Sequence, residues 1–268
     1  MLNIPVISGV FLFLFSLPIP HFLLVLSVTP VFLGDSIFIT TEVLGSDRLQ
    51  LRKRGGDFVQ VDYQTMYEIE LPLECEKYVQ VMISGWEFCD GIPSVVEDFV
   101  VSKVDPKVVT HVYVCVGINS LRGDLSRMPE RWEVEAERFA IKGSFLSLIG
   151  RCGKLFPNAI VVYLGTSTLK KQPIGRGFPN SCSEEILKCR RSLIFWFLIR
   201  VRKLANAVKK VSPGGYILGF PFVYANCFEK IDHGVINDAY GHLKPTFLRK
   251  FVEQLNVRLH GEWKLMTN

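Results

Sequence analysis

Thr29-Pro30-Val31-Phe32-Leu33-Gly34-Asp35-Ser36 is the stretch from which the rest of the chain can be read. A short run of apolar residues stops at a glycine, and an acid and a hydroxyl follow at once. Strands buried on both faces have continuous apolar runs of this kind, whereas half-exposed strands alternate. The glycine permits a tight turn and the close approach of another molecule. Ser36 then falls at the start of a following helix, where unpaired backbone N–H groups favour a developing negative charge. The tripeptide alone describes a helix cap equally well, because Asp and Ser are common caps.

Four more β-rich runs repeat the pattern. Tyr78 to Ile83 ends at Ser84-Gly85, Val108 to Val116 at Gly117, Ala159 to Leu164 at Gly165, and Tyr216 to Phe220 at Pro221. The segments between them carry helical spacing. Trp132 to Ile149 and Glu184 to Val211 are apolar on one side and charged on the other. Lys244 to Leu259 begins with Pro245 near the first helical position, which proline favours. Alternation of strand and helix predicts a three-layer α/β/α sandwich around a five-stranded, mainly parallel sheet. In such sheets reactive groups gather at the carboxyl ends of the strands.

The totals agree with one domain of this class. A chain of 268 residues with 49% apolar and 21% charged residues can bury a sizeable core, which excludes global disorder. The net charge of +5 is mild. Seven cysteines, an odd number with no C-x-x-C pair, give neither zinc-ligand spacing nor a disulfide framework. Cys115 lies inside an apolar run and reads as a small buried hydrophobe. From Met1 to Leu33 there is no Lys, Arg, Asp or Glu. Residues 1–28 therefore read as a separate hydrophobic segment (signal peptide, membrane anchor or gene-start artefact), and residues 29–268 as the domain. If that segment is a real signal or anchor, the chain is secreted or makes membrane contact through it; otherwise it is intracellular.

The strand ends supply the candidate chemistry. Gly85 offers a backbone N–H, though a turn glycine would look the same. Asn119, in Gly117-Ile118-Asn119, offers a side-chain amide that can donate to an oxyanion, or a simple cap. Near the C-terminus, Ile236-Asn237-Asp238-Ala239-Tyr240-Gly241-His242-Leu243 pairs an imidazole with a carboxylate. A histidine base needs a partner that fixes its tautomer, and Asp238 is the nearest candidate. His233, beside Asp232, is a rival base, and Asp232 a rival partner for His242.

In this order the residues resemble the SGNH hydrolases (GDSL-like lipases and esterases). Their blocks are G-D-S after the first strand, Gly after the second, G-x-N after the third, and D-x-x-H before the last helix. The resemblance covers about residues 29–259 and implies a flavodoxin-like sheet. It implies Ser36 as nucleophile and His242 as base, with Asp238 orienting it. Ser36, Gly85 and Asn119 would form the oxyanion hole. The implied activity is carboxylic ester hydrolysis of a small-molecule ester, with no metal or organic cofactor. Two departures stand out. Ser84 precedes the second-block glycine where the family usually has Asn, and three residues rather than two separate Asp238 from His242.

The altered spacing leaves an alternative: a binding module on the same fold with impaired catalysis. Arg52-Lys53-Arg54, and the face with Lys188, Arg190, Arg191, Arg200, Arg202, Lys203, Lys209 and Lys210, could meet nucleic acid or an anionic surface. A flavodoxin-like domain of unrelated function is a third reading.

Overall fold

The structure, a computed structural model, describes residues 29–36, 41–43, 46–62, 67–69, 78–167, 182–210 and 218–228. Its strands are β1 (Pro30–Gly34), β2 (Thr41–Val43), β3 (Ser46–Arg54), β4 (Asp57–Gln60), β5 (Tyr67–Ile69), β6 (Tyr78–Ser84), β7 (His111–Cys115), β8 (Ile160–Tyr163) and β9 (Phe222–Tyr224). Its helices are α1 (Ser94–Lys103), α2 (Ile118–Arg122), α3 (Arg131–Leu155) and α4 (Glu184–Lys210). A 3-10 turn covers Phe88–Asp90.

β1 lies in the middle of a seven-stranded sheet of order β4-β3-β6-β1-β7-β8-β9. Every pairing is parallel except β3 with β4. The chain leaves β1 towards β3 and β6 on one side, then crosses over to β7, β8 and β9 on the other. The strand order therefore reverses at β1. Parallel strands need helical crossovers, and right-handed crossovers in one direction put their helices on one face. α1, α3 and α4 accordingly share a core with Val31, Leu33, Val81, Val112, Val114 and Val161.

Shape holds that core together. α3 buries Ile141, Phe145, Leu148, Ile149 and Cys152, a helical stripe towards the sheet. Phe145 stands edge-on to Phe88, Tyr163 and Phe197, with ring centroids 5.4, 5.0 and 5.1 Å away. Burying one such ring contributes about 1.5–3 kcal/mol, and edge-to-face contacts add to it. The other sheet face is buried as well, at Phe32, Gln80, Met82, His111 and Tyr113. Both faces being covered explains why β1, β6 and β7 are nearly continuous apolar runs, with Gln80 and His111 the buried polar exceptions.

Two expectations need correction. The sheet has seven strands rather than five, because β3 and β4 form a hairpin on its edge. β3 is polar at every second position, with Arg48, Gln50 and Arg52 around the buried Leu49 and Leu51 and with Arg52 and Arg54 exposed, so it lacks the continuous apolar signature. Gly55-Gly56, with φ of 59° and 107°, makes the tight turn between the two strands. Among the described residues the last strand is Phe222–Tyr224, beyond the Phe220 end expected for it. Leu218, Gly219 and Phe220 form a turn, with Gly219 at φ 76°. Lys244 to Leu259 and residues 1–28 lie outside the described residues. Among the described residues, no helix is long and apolar enough to cross a membrane.

Candidate active site

Register sets the site. Gly34, the end of β1, pairs with Met82 on one side and Cys115 on the other. Ser36, Gly85 and Gly117 thus follow closely on the carboxyl ends of three adjacent strands. The strand order reverses here, and ligands of open α/β sheets bind in the crevice outside such a reversal. The backbone turns helical at Ser36, while the Asp35 N–H donates to the Cys115 carbonyl at 3.0 Å and pins the turn to β7. Asp35 is buried, and Ser36 retains 8% of its surface.

The loops leaving β6 and β7, on either side of β1, are tied to each other. The Asn119 Nδ2 amide donates to the Trp86 carbonyl at 3.2 Å, and the Phe88 N–H donates to Ser120 Oγ at 2.8 Å. Trp86 is held in turn by its indole N–H on the Gly91 carbonyl at 2.9 Å. An amide nitrogen has two hydrogens. One Asn119 hydrogen is committed to Trp86, which fixes the plane of the amide and the direction of the other. The Trp86 carbonyl is a positioning group that sequence reading missed, because backbone acceptors have no sequence signal. Gly85 has φ 84° and Gly117 has φ 142°, so both positions favour glycine on backbone grounds.

Trp86 and Phe88 are core residues, both fully buried. Asp232, His233, Asp238 and His242 lie outside the described residues. Cys115 is no rival nucleophile. Burial pushes its thiol well up, and the nearby Asp35 carboxylate adds to the effect.

The basic stretches divide. Lys53 reaches across to the loop after Gly85 and bonds Glu87 at 2.9 Å and Asp90 at 3.0 Å. Burial works against its charge, but those two carboxylates outweigh burial and raise its pKa. Ligand atoms of Glu87, Cys89 and Asp90 come within 4.8 Å of one another, the spacing of a cation site, but the Lys53 ammonium is already bonded to both acids. Arg190 turns inward, buried against Gly123 and paired with Glu137, and Arg191 pairs with Glu184. Lys188, Arg200, Arg202 and Lys203 stay exposed.

Comparison with solved structures places the architecture. Phospholipase A1 from Streptomyces albidoflavus NA297 superposes with a TM-score of 0.50 at 16% identity, covering 86% of this chain and 99% of that one. The fold is that of the SGNH hydrolases. An extracellular lipase from Streptomyces rimosus gives a TM-score of 0.48 at 13% identity, over 86% of this chain and 99% of the other. A carbohydrate esterase family 3 protein from Talaromyces cellulolyticus gives 0.45 at 14%, over 88% and 98%. No protein-family profile and no curated sequence matches the chain.

Proposed function

We propose that this SGNH-fold chain is a serine hydrolase of carboxylic esters. The observation that carries the reading is Ser36. It lies two residues beyond the end of β1, where the strand order reverses, and the flanking strands β6 and β7 are followed by Gly85 and by the oriented Asn119 amide. A phospholipase A1 shares the fold, which favours ester chemistry over an unrelated flavodoxin-like role.

His242 takes the Ser36 hydroxyl proton as Oγ attacks the ester carbonyl. Asp238 holds the imidazole in the required tautomer and stabilises the imidazolium. The Ser36 and Gly85 N–H groups and the second Asn119 hydrogen receive the oxyanion. Collapse expels the alcohol, which leaves with the proton from His242. Water then attacks the acyl-enzyme with His242 again as base, releasing the acid and restoring Ser36. No step calls for a metal or organic cofactor.

The test is turnover of short p-nitrophenyl esters by the full chain and by Ser36→Ala. Removing the nucleophile should cost at least about 10³-fold in kcat. His242→Ala should cost a similar factor. Equal rates for wild type and Ser36→Ala would remove the proposal.

A further inference from the structure

We infer that the α3–α4 surface docks on an anionic lipid bilayer. The helices α3 and α4 lie side by side over the sheet, and a cleft of about 300 Å³ runs between them. Phe145, Leu146, Trp196, Val201 and Leu204 line it, with Lys142, Arg200 and Lys203 at its rim. The apolar surface continues outwards. Trp132, Phe139 and Leu146 follow one another at seven-residue intervals, and so lie along one face of α3. Trp132 is 66% exposed and Phe139 82%. On α4, Phe195 is 66% exposed and Ile199 38%, next to Trp196. Large apolar groups gathered on one surface mark an interaction site rather than scattered exposure.

Charge selects the occupant. From Ile186 to Lys210, α4 carries eight cations and no Asp or Glu. The acids of α3 are already answered: Glu133 by Arg127, Glu135 by Arg138, and Glu137 by Arg190. Lys142, Arg200 and Lys203 have no carboxylate partner among the described residues. Arg138 and Arg200 lie over the Trp196 ring, at 5.3 and 5.9 Å from its centroid, and keep positive charge above the apolar cleft. Aromatic and aliphatic groups framed by lysine and arginine match the headgroup–acyl boundary of an anionic leaflet. Single-stranded RNA would use the aromatics and the cations but has no use for Ile199, Leu146 and Leu204, so the lipid surface is the better fit. None of this depends on Ser36 chemistry.

The test is co-sedimentation of the full chain with phosphatidylcholine vesicles, with and without about 30% phosphatidylserine. Three double variants accompany wild type: Phe139→Ser/Phe195→Ser, Lys142→Glu/Lys203→Glu and Trp132→Phe/Trp196→Phe. All six positions are solvent-facing or on the cleft wall, so circular dichroism and thermal melting should match wild type. Wild type should partition onto the anionic vesicles, less at 0.5 M salt. Each cation lost is worth roughly fivefold, so the charge variant should bind at least about 25-fold more weakly. Residues 1–28 contribute alike to wild type and variants, and a second readout isolates the patch. Vesicles with brominated acyl chains should quench the tryptophan emission of wild type, and quench the Trp132→Phe/Trp196→Phe variant much less. Equal partitioning of wild type and the first two variants, or equal quenching with and without the two tryptophans, overturns the inference. So does salt-sensitive RNA affinity without vesicle binding.

Discussion

Gly117→Ala tests how tightly the site is built into the fold. Gly117 joins β7 to the loop that carries Asn119, with φ 142° and ψ −22°, where an L side chain is strained. An added Cβ would stand 2.5 Å from Phe88 Cζ and 3.1 Å from the Tyr163 hydroxyl. Neither neighbour can move freely. The Phe88 ring is wedged between Phe145 and Phe197, and the Tyr163 hydroxyl donates to the Val116 carbonyl at 3.0 Å. Backbone strain costs about 1–3 kcal/mol, and overpacking costs a further ~1–3 kcal/mol. The variant should lose about 2–6 kcal/mol of stability, which lowers Tm by roughly 5–20 °C at this chain length. Relief of strain would move Asn119 two residues on, so ester turnover should fall by up to ~10²-fold through kcat with KM little changed. Thermal and urea unfolding read the first effect and p-nitrophenyl ester kinetics the second. Phe88→Leu shortens the obstructing side chain. In a double-mutant cycle with Gly117→Ala it should return about 1–2 kcal/mol of the overpacking cost and leave the φ cost. A Gly117→Ala protein that melts within a degree of wild type would refute the reasoning, as would zero coupling to Phe88.

Two further perturbations probe the core. His111 is buried on the second sheet face, its ring stacked on Tyr113 and its Nδ1 3.1 Å from Thr110 Oγ1, and burial lowers its pKa from 6.5 to about 4. Below pH 6.5 the unfolded chain takes up a proton that the folded chain refuses until about 4, so stability falls as pH drops through that window. The loss approaches about 3 kcal/mol. Urea midpoints at pH 7.5, 5.5 and 4.5 should show this in wild type and not in His111→Asn; parallel pH profiles would contradict it. Arg190→Met should leave the partly buried Glu137 without its guanidinium partner and destabilise the chain by about 1–3 kcal/mol, below the cost for a fully buried pair. Arg190→Lys should not restore it, because one ammonium cannot span both Glu137 and the Asp124 carbonyl. Full recovery by lysine in a urea titration would count against that account.

Local chemistry made much of the sheet legible before any coordinates. β1, β6, β7 and β8 are buried on both faces and so are nearly continuous apolar runs, and α3 and α4 start within one residue of the expected stripes, with α3 running six residues past Ile149. The edge hairpin was not legible. β3 alternates its leucines with Arg48, Gln50 and Arg52, and its strand state depends on the partner β6 supplies. Lys53 and Arg190 read as surface charge because sequence spacing does not say which cation meets a carboxylate more than thirty positions away.

Residue type and order alone determined that Gly34-Asp35-Ser36, Gly85 and Gly117-Ile118-Asn119 each end a strand. Tertiary structure alone decided that those ends are neighbours. Strands β6 and β7 flank β1 only because long crossovers carry the chain to opposite sides of it, and parallel pairing over such distances has no short-range signature. The same holds for the bond between Asn119 and the Trp86 carbonyl. A backbone oxygen is identical at every position, so only the folded chain distinguishes the one that aims the amide.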